Sequence, residues 1–377
     1  MANLSPIGPV DLAAERAELG PALEEAALRV LRSGQYVLGP EVQALEQAFA
    51  ELCGVRHAWG VASGTDALYW GLRALGVGPG CTVVTSAYTF FASAGAPALL
   101  GARVWLADVD PRTGLVTRDT LEAALDSAPG EVRCALPVHL YGQLCDMRAL
   151  KELCDPRGIA LLEDGAQAHG ARRDGYACGQ LGAAGTFSFY PTKNLGAAGE
   201  GGLVVTDDDE LAATLGRQRD HGSTGKYVHG EIGGNSRLQA MQAAVLNVKL
   251  PHLAGWNERR RAVAARYDEV LAEGALRPLR REPGSEHVYH QYALTVEAPL
   301  EREAVLAALK ERGIHAAVHY PRAVHQQPAT ADWGQPEGSL PGAEELGRKV
   351  VCLPVHPFLD AEQVERVCDA LRAIART

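Results

Sequence analysis

Between residues 57 and 162 short apolar runs alternate with helical stretches, and that rhythm leaves few folds open. Strand-like runs at 58–62, 82–85, 103–107, 134–138 and 159–162 are separated by helical segments at 65–75, 90–100, 118–125 and 147–154. A strand, a crossover helix and a second strand form one βαβ unit, so a series of them builds a mostly parallel sheet with helices on both faces. Shorter strands follow at 186–189 and 202–206. A helical region over 239–270 comes next, broken at Pro251, which has no N–H to give to a helix. Past Pro283 the order becomes strand 292–296, helix 301–312, strand 314–319 and a last helix over 361–375. This reads as a large domain over 1–250 and a smaller C-terminal α/β domain over 251–377. Two helices precede the alternation, 22–32 opened by Pro21 and 41–53 opened by Pro40, because proline's fixed φ suits a first helical turn. With 377 residues there is chain enough for both cores.

Charge and cysteine usage narrow the function. The chain carries 36 basic and 46 acidic side chains, a net charge of −10, which argues against a nucleic-acid partner because phosphate contacts need a basic face. No run approaches the ~18 apolar residues of a membrane helix, and residues 1–8 carry neither a basic nor an apolar export signal. The expectation is a cytoplasmic protein with no membrane partner. Eight cysteines include no Cys-x-x-Cys pair and no spacing that suits Cys/His ligation, so buried free thiols are expected and no metal. The acidic run Asp207-Asp208-Asp209-Glu210 reads as the first turn of a helix, where negative charge meets the positive end of the dipole.

Three features fall at the ends of strands, where open α/β sheets bind ligands. Ser63-Gly64-Thr65 sits between a strand and a helix, and reads either as a helix cap or as a place where backbone N–H groups hold a phosphate. Glu163-Asp164 closes a very apolar strand, where an acid needs a partner such as a protonated ring nitrogen, or else caps the next segment. Lys193 stands alone in a glycine-rich, otherwise uncharged stretch, and desolvation there would make its amine a nucleophile. Taken together the three match the needs of pyridoxal 5′-phosphate: an amine for its aldehyde, a carboxylate for its pyridine nitrogen and a helix N-terminus for its phosphate.

The segments Ser63-Gly64-Thr65-Asp66-Ala67-Leu68, Thr89-Phe90, Glu163-Asp164-Gly165-Ala166-Gln167-Ala168-His169-Gly170, Ser188-Phe189-Tyr190-Pro191-Thr192-Lys193-Asn194-Leu195-Gly196 and Asn235-Ser236-Arg237-Leu238-Gln239 resemble the DegT/DnrJ/EryC1/StrS family of sugar aminotransferases from end to end. The resemblance implies the fold-type I architecture of PLP-dependent transferases, a homodimer and a nucleotide-linked keto sugar as substrate. It also implies an amino-acid donor, L-glutamate, and a place in amino-sugar and polysaccharide biosynthesis. It makes Lys193 the Schiff-base lysine, Asp164 the partner of the ring nitrogen and Gln167 the neighbour of the ring hydroxyl. Gly64, Thr65 and Ser188 become phosphate ligands, Phe90 the aromatic stacked on the ring, and Asn235 a residue that reaches the phosphate across the dimer.

Arg237 is the candidate for the donor's carboxylate, since a guanidinium binds one bidentately. His319, Tyr320 and His325 correspond to the family's segment near sugar or nucleotide. Two departures, Ser86 for a usual proline and Glu200 for a usual aspartate, lie off the inferred chemistry. Relatives with histidine in place of the lysine are dehydratases, so Lys193 favours transamination. A sugar dehydratase, a cyclitol aminotransferase or a regulatory protein that keeps the fold are the alternatives.

Overall fold

The computed structural model describes residues 5–271 and 274–375; residues 1–4 of the N-terminal stretch lie outside the described residues. Seven strands form the central sheet: β1 (His57–Val61), β2 (Cys81–Ser86), β3 (Arg103–Ala107), β4 (Glu131–Leu136), β5 (Ala160–Asp164), β6 (Ala184–Ser188) and β7 (Gly202–Thr206). Their spatial order is β1-β7-β6-β5-β4-β2-β3. The pairs from β6 to β3 run parallel, and β7 lies antiparallel to both β6 and β1. Every residue of β6 and β7 is buried, as expected of strands covered by helices on both faces. The mostly parallel sheet expected from the βαβ rhythm is thus present, and an architecture of this kind opens a ligand crevice at the C-terminal ends of its parallel strands.

Helices Leu12–Ser33 (α1), Pro40–Cys53 (α2), Gly64–Ala74 (α3) and Ala92–Leu99 (α4) are the first four. One expectation fails here: Pro21 does not open α1 but lies inside it. The true start is capped by Asp11, whose carboxylate accepts the N–H of Ala14 at 2.8 Å. Packing of Ala26 and Val30 against Ala240 and Ala244 holds the helix through the proline. The acidic run does begin a helix, Asp209–Gln218, with Asp208 as its cap.

A small antiparallel sheet joins Leu276–Pro278, Tyr292–Val296 and Val350–Leu353. The strand expected at 314–319 is absent. That segment makes only single bridges, Ile314 to Ile7 and Ala317 to Cys352, because its end is diverted toward the central sheet, where the Tyr320 N–H donates to the Tyr88 hydroxyl at 2.7 Å. Helix Pro341–Lys349 and strand Val350–Leu353 were not anticipated. The two largest apolar clusters are one around the central sheet, including Ala323, Val324 and Leu346, and one with Tyr267, Leu294, Leu309 and Leu371, into which Ile7 inserts. Edge strand β3 is met by the side chain of Gln335, whose amide accepts the N–H of Leu106 at 2.8 Å and donates to its carbonyl at 2.9 Å. All eight cysteines are free and all but Cys81 are buried. Among the described residues no helix is long and apolar enough to cross a membrane.

Candidate active site

Strand β5 delivers two adjacent acids to opposite faces of the sheet, as alternation requires. Glu163 turns into the protein, where its carboxylate accepts the N–H groups of Gly179 (3.0 Å) and Gly182 (2.8 Å) and pairs with Nε2 of His139 at 2.8 Å. The Cys145 N–H donates to Nδ1 of that histidine at 3.2 Å, so Nε2 carries the proton and gives it to Glu163. Although Cys178 completes a compact His/Glu/Cys group, the histidine nitrogens and the carboxylate already have protein partners. Asp164 faces a cavity of about 510 Å³. Its Oδ1 accepts the Ala166 N–H at 3.1 Å and its Oδ2 accepts the Ser93 hydroxyl at 2.7 Å. Because Ser93 spends its only proton on Asp164, the Thr89 hydroxyl, 2.9 Å away, must donate to Ser93.

Across the cavity, strand β6 ends at Ser188 and the chain folds into a tight turn closed by the Lys193 N–H donating to the Tyr190 carbonyl at 2.9 Å. Gly196 is required by this path, since a Cβ there would come within 2.3 Å of the Pro191 oxygen. Lys249 donates to the Gly196 carbonyl at 2.7 Å and so fixes the far side of the turn. The Lys193 amine lines the cavity with no hydrogen-bond partner among the described residues. Burial lowers its pKa to about 8, the opposing charge of Asp164 limiting the fall.

Helix α3 supplies the third wall. Ser63 is its cap, its hydroxyl accepting the Asp66 N–H at 3.0 Å, while Gly64 and Thr65 of the first turn line the cavity. The two readings of this segment therefore fall on different residues. A Cβ on Gly64 would sit 2.5 Å from that of Ser188, so only glycine lets α3 approach β6 this closely. The Gln167 amide is clamped: Oε1 accepts the Tyr141 N–H at 2.6 Å and Nε2 donates to the Tyr320 hydroxyl at 3.2 Å. Phe90, 58% exposed, lies at the rim with its ring 6.1 Å from that of Tyr320.

Of the residues singled out from sequence, Gly64, Thr65, Phe90, Asp164, Gln167, Ser188, Lys193, His319 and Tyr320 all line this one cavity. His325 does not, which corrects the expectation: it is buried with Nε2 paired to Glu344 at 2.9 Å, beyond reach of a ligand in the cavity. Asn235 and Arg237 also lie outside this chain's cavity. Asn235 is exposed and accepts from Arg237, and Arg237 is paired with Asp220 at 2.9 Å. The structure adds Ser93 and His290, and it places Glu200, read from the sequence as lying off the chemistry, on the wall of the same cavity. Ser93 follows Thr89 by one helical turn and could have been found from that spacing; His290 carries no local signal.

The donor set fits pyridoxal phosphate. A free amine and a carboxylate face one space, a helix N-terminus with a side-chain-free first residue provides an anion cradle, and the volume falls in the range of small-molecule sites.

Similarity to known proteins points the same way. A model of the DegT/DnrJ/EryC1/StrS aminotransferase family matches residues 18–372. The dTDP-3-amino-3,4,6-trideoxy-alpha-D-glucose transaminase of Streptomyces venezuelae is 45% identical over 365 residues, 96% of this chain and 94% of that protein. The pleiotropic regulatory protein of Geobacillus stearothermophilus is 43% identical over 370 residues, 97% of this chain and 98% of that one. Among solved structures, the crystal structure of S. venezuelae DesV in complex with a ketimine intermediate superposes with a TM-score of 0.95 at 43% identity, covering 99% of this chain and all of that one.

Proposed function

The chain belongs to the DegT/DnrJ/EryC1/StrS aminotransferase family, and from that premise we propose that it transfers an amino group from an amino acid, L-glutamate first, to the keto carbon of a nucleotide-linked sugar. The observation that carries the reading is the Lys193 amine, unpartnered and held near a pKa of 8, facing Asp164 across a single cavity. Bound there, pyridoxal 5′-phosphate supplies an electrophilic aldehyde and a protonated ring that accepts the electron pair left when a substrate carbon loses its proton.

The chain's own residues do the rest. Lys193 anchors the cofactor and, once free, Nζ takes a proton from the substrate carbon and returns it. At pH 7 roughly a tenth of an amine with this pKa is neutral, against well under a thousandth of an ordinary lysine. Asp164, its oxygens held by Ser93 and Ala166, keeps the ring nitrogen protonated. Gln167, its Nε2 held by the Tyr320 hydroxyl, would lie beside the ring hydroxyl, the first turn of α3 and Ser188 would hold the phosphate, and Phe90 would cover the ring. His319 and Tyr320 border the space left for the sugar.

We further infer a cytoplasmic homodimer in which Asn235 and Arg237 serve the neighbouring site, Asn235 at the phosphate and Arg237 at the donor carboxylate. The short hairpin of Ser223–Gly225 and Val228–His229 supports this, for it and the segment after it present Tyr227 (89% exposed) and Ile232 (79%) to solvent, an apolar surface that suits a second copy. The name of the S. venezuelae relative makes a dTDP-linked 3-keto sugar the first substrate to try. The name of the Geobacillus relative raises the regulatory alternative, against which the intact Lys193, Asp164 and Gln167 stand.

The test is a turnover screen of the purified, cofactor-loaded protein with glutamate and a panel of nucleotide-linked 3-keto and 4-keto sugars, detecting the amino sugar by mass. Amine formation on at least one is expected; cofactor binding without transfer to any of them, or a deoxygenated product instead, would overturn it.

A further inference from the structure

Tyr141 stands in the left-handed region of backbone space, φ +60°, which is strained for a residue with a side chain. The conformation lets one residue hold two others: its N–H donates to Oε1 of Gln167 at 2.6 Å, and its hydroxyl donates to the His319 carbonyl. Tyr88 grips the next residue along. Its hydroxyl accepts the Tyr320 N–H at 2.7 Å and donates to the Tyr320 carbonyl at 2.9 Å. Two buried tyrosines thus fix the backbone that carries the Tyr320 ring, which lines the cavity with Gln167.

The two ends of an amide side chain differ in kind, and at Gln167 each has its own partner. A backbone N–H can only donate, so the atom facing Tyr141 is the amide oxygen. The atom 3.2 Å from the Tyr320 hydroxyl is then the nitrogen, and the phenol oxygen accepts from it. Burial holds the Tyr320 pKa above the ordinary tyrosine value, so the phenol stays neutral. The bond at the oxygen end is buried and the bond at the nitrogen end only partly so, which leaves the nitrogen as the end that a ligand in the cavity meets. One of its two N–H groups is spent on Tyr320. The other finds no acceptor among the described residues.

We propose that Tyr320 is a positioning residue for Gln167: its hydroxyl, set in place through Tyr88 and Tyr141, anchors the amide so that Gln167 meets the cofactor's ring oxygen as a donor. With the Tyr141 bond alone the amide would swing about its terminal torsion, whose wells are broad. A ring oxygen that receives a hydrogen bond is less basic, so the clamp acts on the protonation of the bound cofactor through Gln167. This role rests on the reading that sets Gln167 beside the ring hydroxyl, and its two halves are therefore measured separately, without cofactor and with it.

In the cofactor-free, full-length chain with isotope-labelled glutamine amides, the Gln167 signal is the one missing from the NMR spectrum of Gln167→Leu. Tyr320→Phe keeps the ring and removes only the hydroxyl; it should move that signal and speed exchange of its protons with water severalfold. An unmoved signal would overturn the clamp, whatever the cofactor does. In the cofactor-loaded chain the reading is the pH midpoint at which the bound cofactor's absorbance changes. Gln167→Leu should raise it by about half a unit or more, the size expected for one lost hydrogen bond. Tyr320→Phe should raise it by less, and the double variant by no more than Gln167→Leu alone, as two residues acting through one bond require. Shifts that add would mean that Tyr320 reaches the cofactor by itself, and no shift in Tyr320→Phe would mean that Tyr141 suffices; either result overturns the proposed role. A midpoint unmoved by Gln167→Leu, with the NMR response present, would instead withdraw Gln167 from the ring oxygen, which is a failure of the functional reading and not of the clamp.

Discussion

At the scale of single residues, Lys193 opposes the folding that creates its site. Its pKa falls from 10.5 to about 8 on folding, so below pH 8 both folded and unfolded chains carry the charge and only the folded one has desolvated it. The penalty, about 3 kcal/mol, shrinks as pH rises through 8 and is gone above the unfolded value near 10.5. Lys193→Met should therefore make the cofactor-free protein more stable at pH 7, with the gap closing by about pH 10.5; denaturant titrations across that range would reveal it, and a less stable variant at pH 7 would contradict the depressed pKa. Asp164→Asn should keep cofactor but lose roughly 100-fold or more in kcat, about 3 kcal/mol of transition-state stabilisation, because an amide cannot hold the ring nitrogen protonated. Near-normal kcat would reduce Asp164 to a cap for Ala166. Lys193 and Asp164 were legible in the sequence because each is a charged residue in an apolar or glycine-rich surrounding. His290 and the true partner of His325 were not, since a lone histidine says nothing of what the fold will bring to it; Glu344 becomes its neighbour only through tertiary packing.

Among elements, α3 sits close against β6. Gly64→Ala places a methyl 2.5 Å from the Ser188 Cβ, a contact that must push the first turn of the helix off the strand at roughly 1–3 kcal/mol. The variant should bind cofactor more weakly as the N–H groups move, and Ser188→Gly in the same chain should recover part of the stability by removing the opposing Cβ. Thermal melts of the single and double variants decide it, additive losses arguing against the contact. Helix ends marked by glycine were read well, α2 stopping before Gly54 as expected. Pro21 misled because proline at a first turn is only a preference, and the buried face of α1 outweighs it. The 314–319 segment has a strand's apolar character but meets strand Val350–Leu353 only at the Ala317–Cys352 bridge, and a ladder needs more than one such pair.

For the whole molecule, the proposed sharing of sites between two copies predicts complementation. Lys193→Ala and Asn235→Asp chains, each inactive alone, should form hybrid dimers in which one site has both residues intact, restoring on the order of a quarter of wild-type activity when mixed equally. Asn235→Asp is chosen because it sets a carboxylate against the cofactor phosphate. Subunit exchange verified by mass without recovered activity would assign Asn235 to its own chain. The fold class was readable at this scale because a βαβ rhythm admits few sheets, whereas the proposed second copy would leave only exposed apolar residues as its trace. The sheet has an end as well as a site. At β3 the Gln335 amide offers Leu106 one acceptor and one donor, as a neighbouring backbone would, and so finishes the ladder with a single side chain. A strand from another molecule that tried to add here would first have to evict it, losing two hydrogen bonds to begin its own. One glutamine thereby acts as a selvedge, keeping a sheet built for catalysis from becoming a seed for aggregation in a crowded cell.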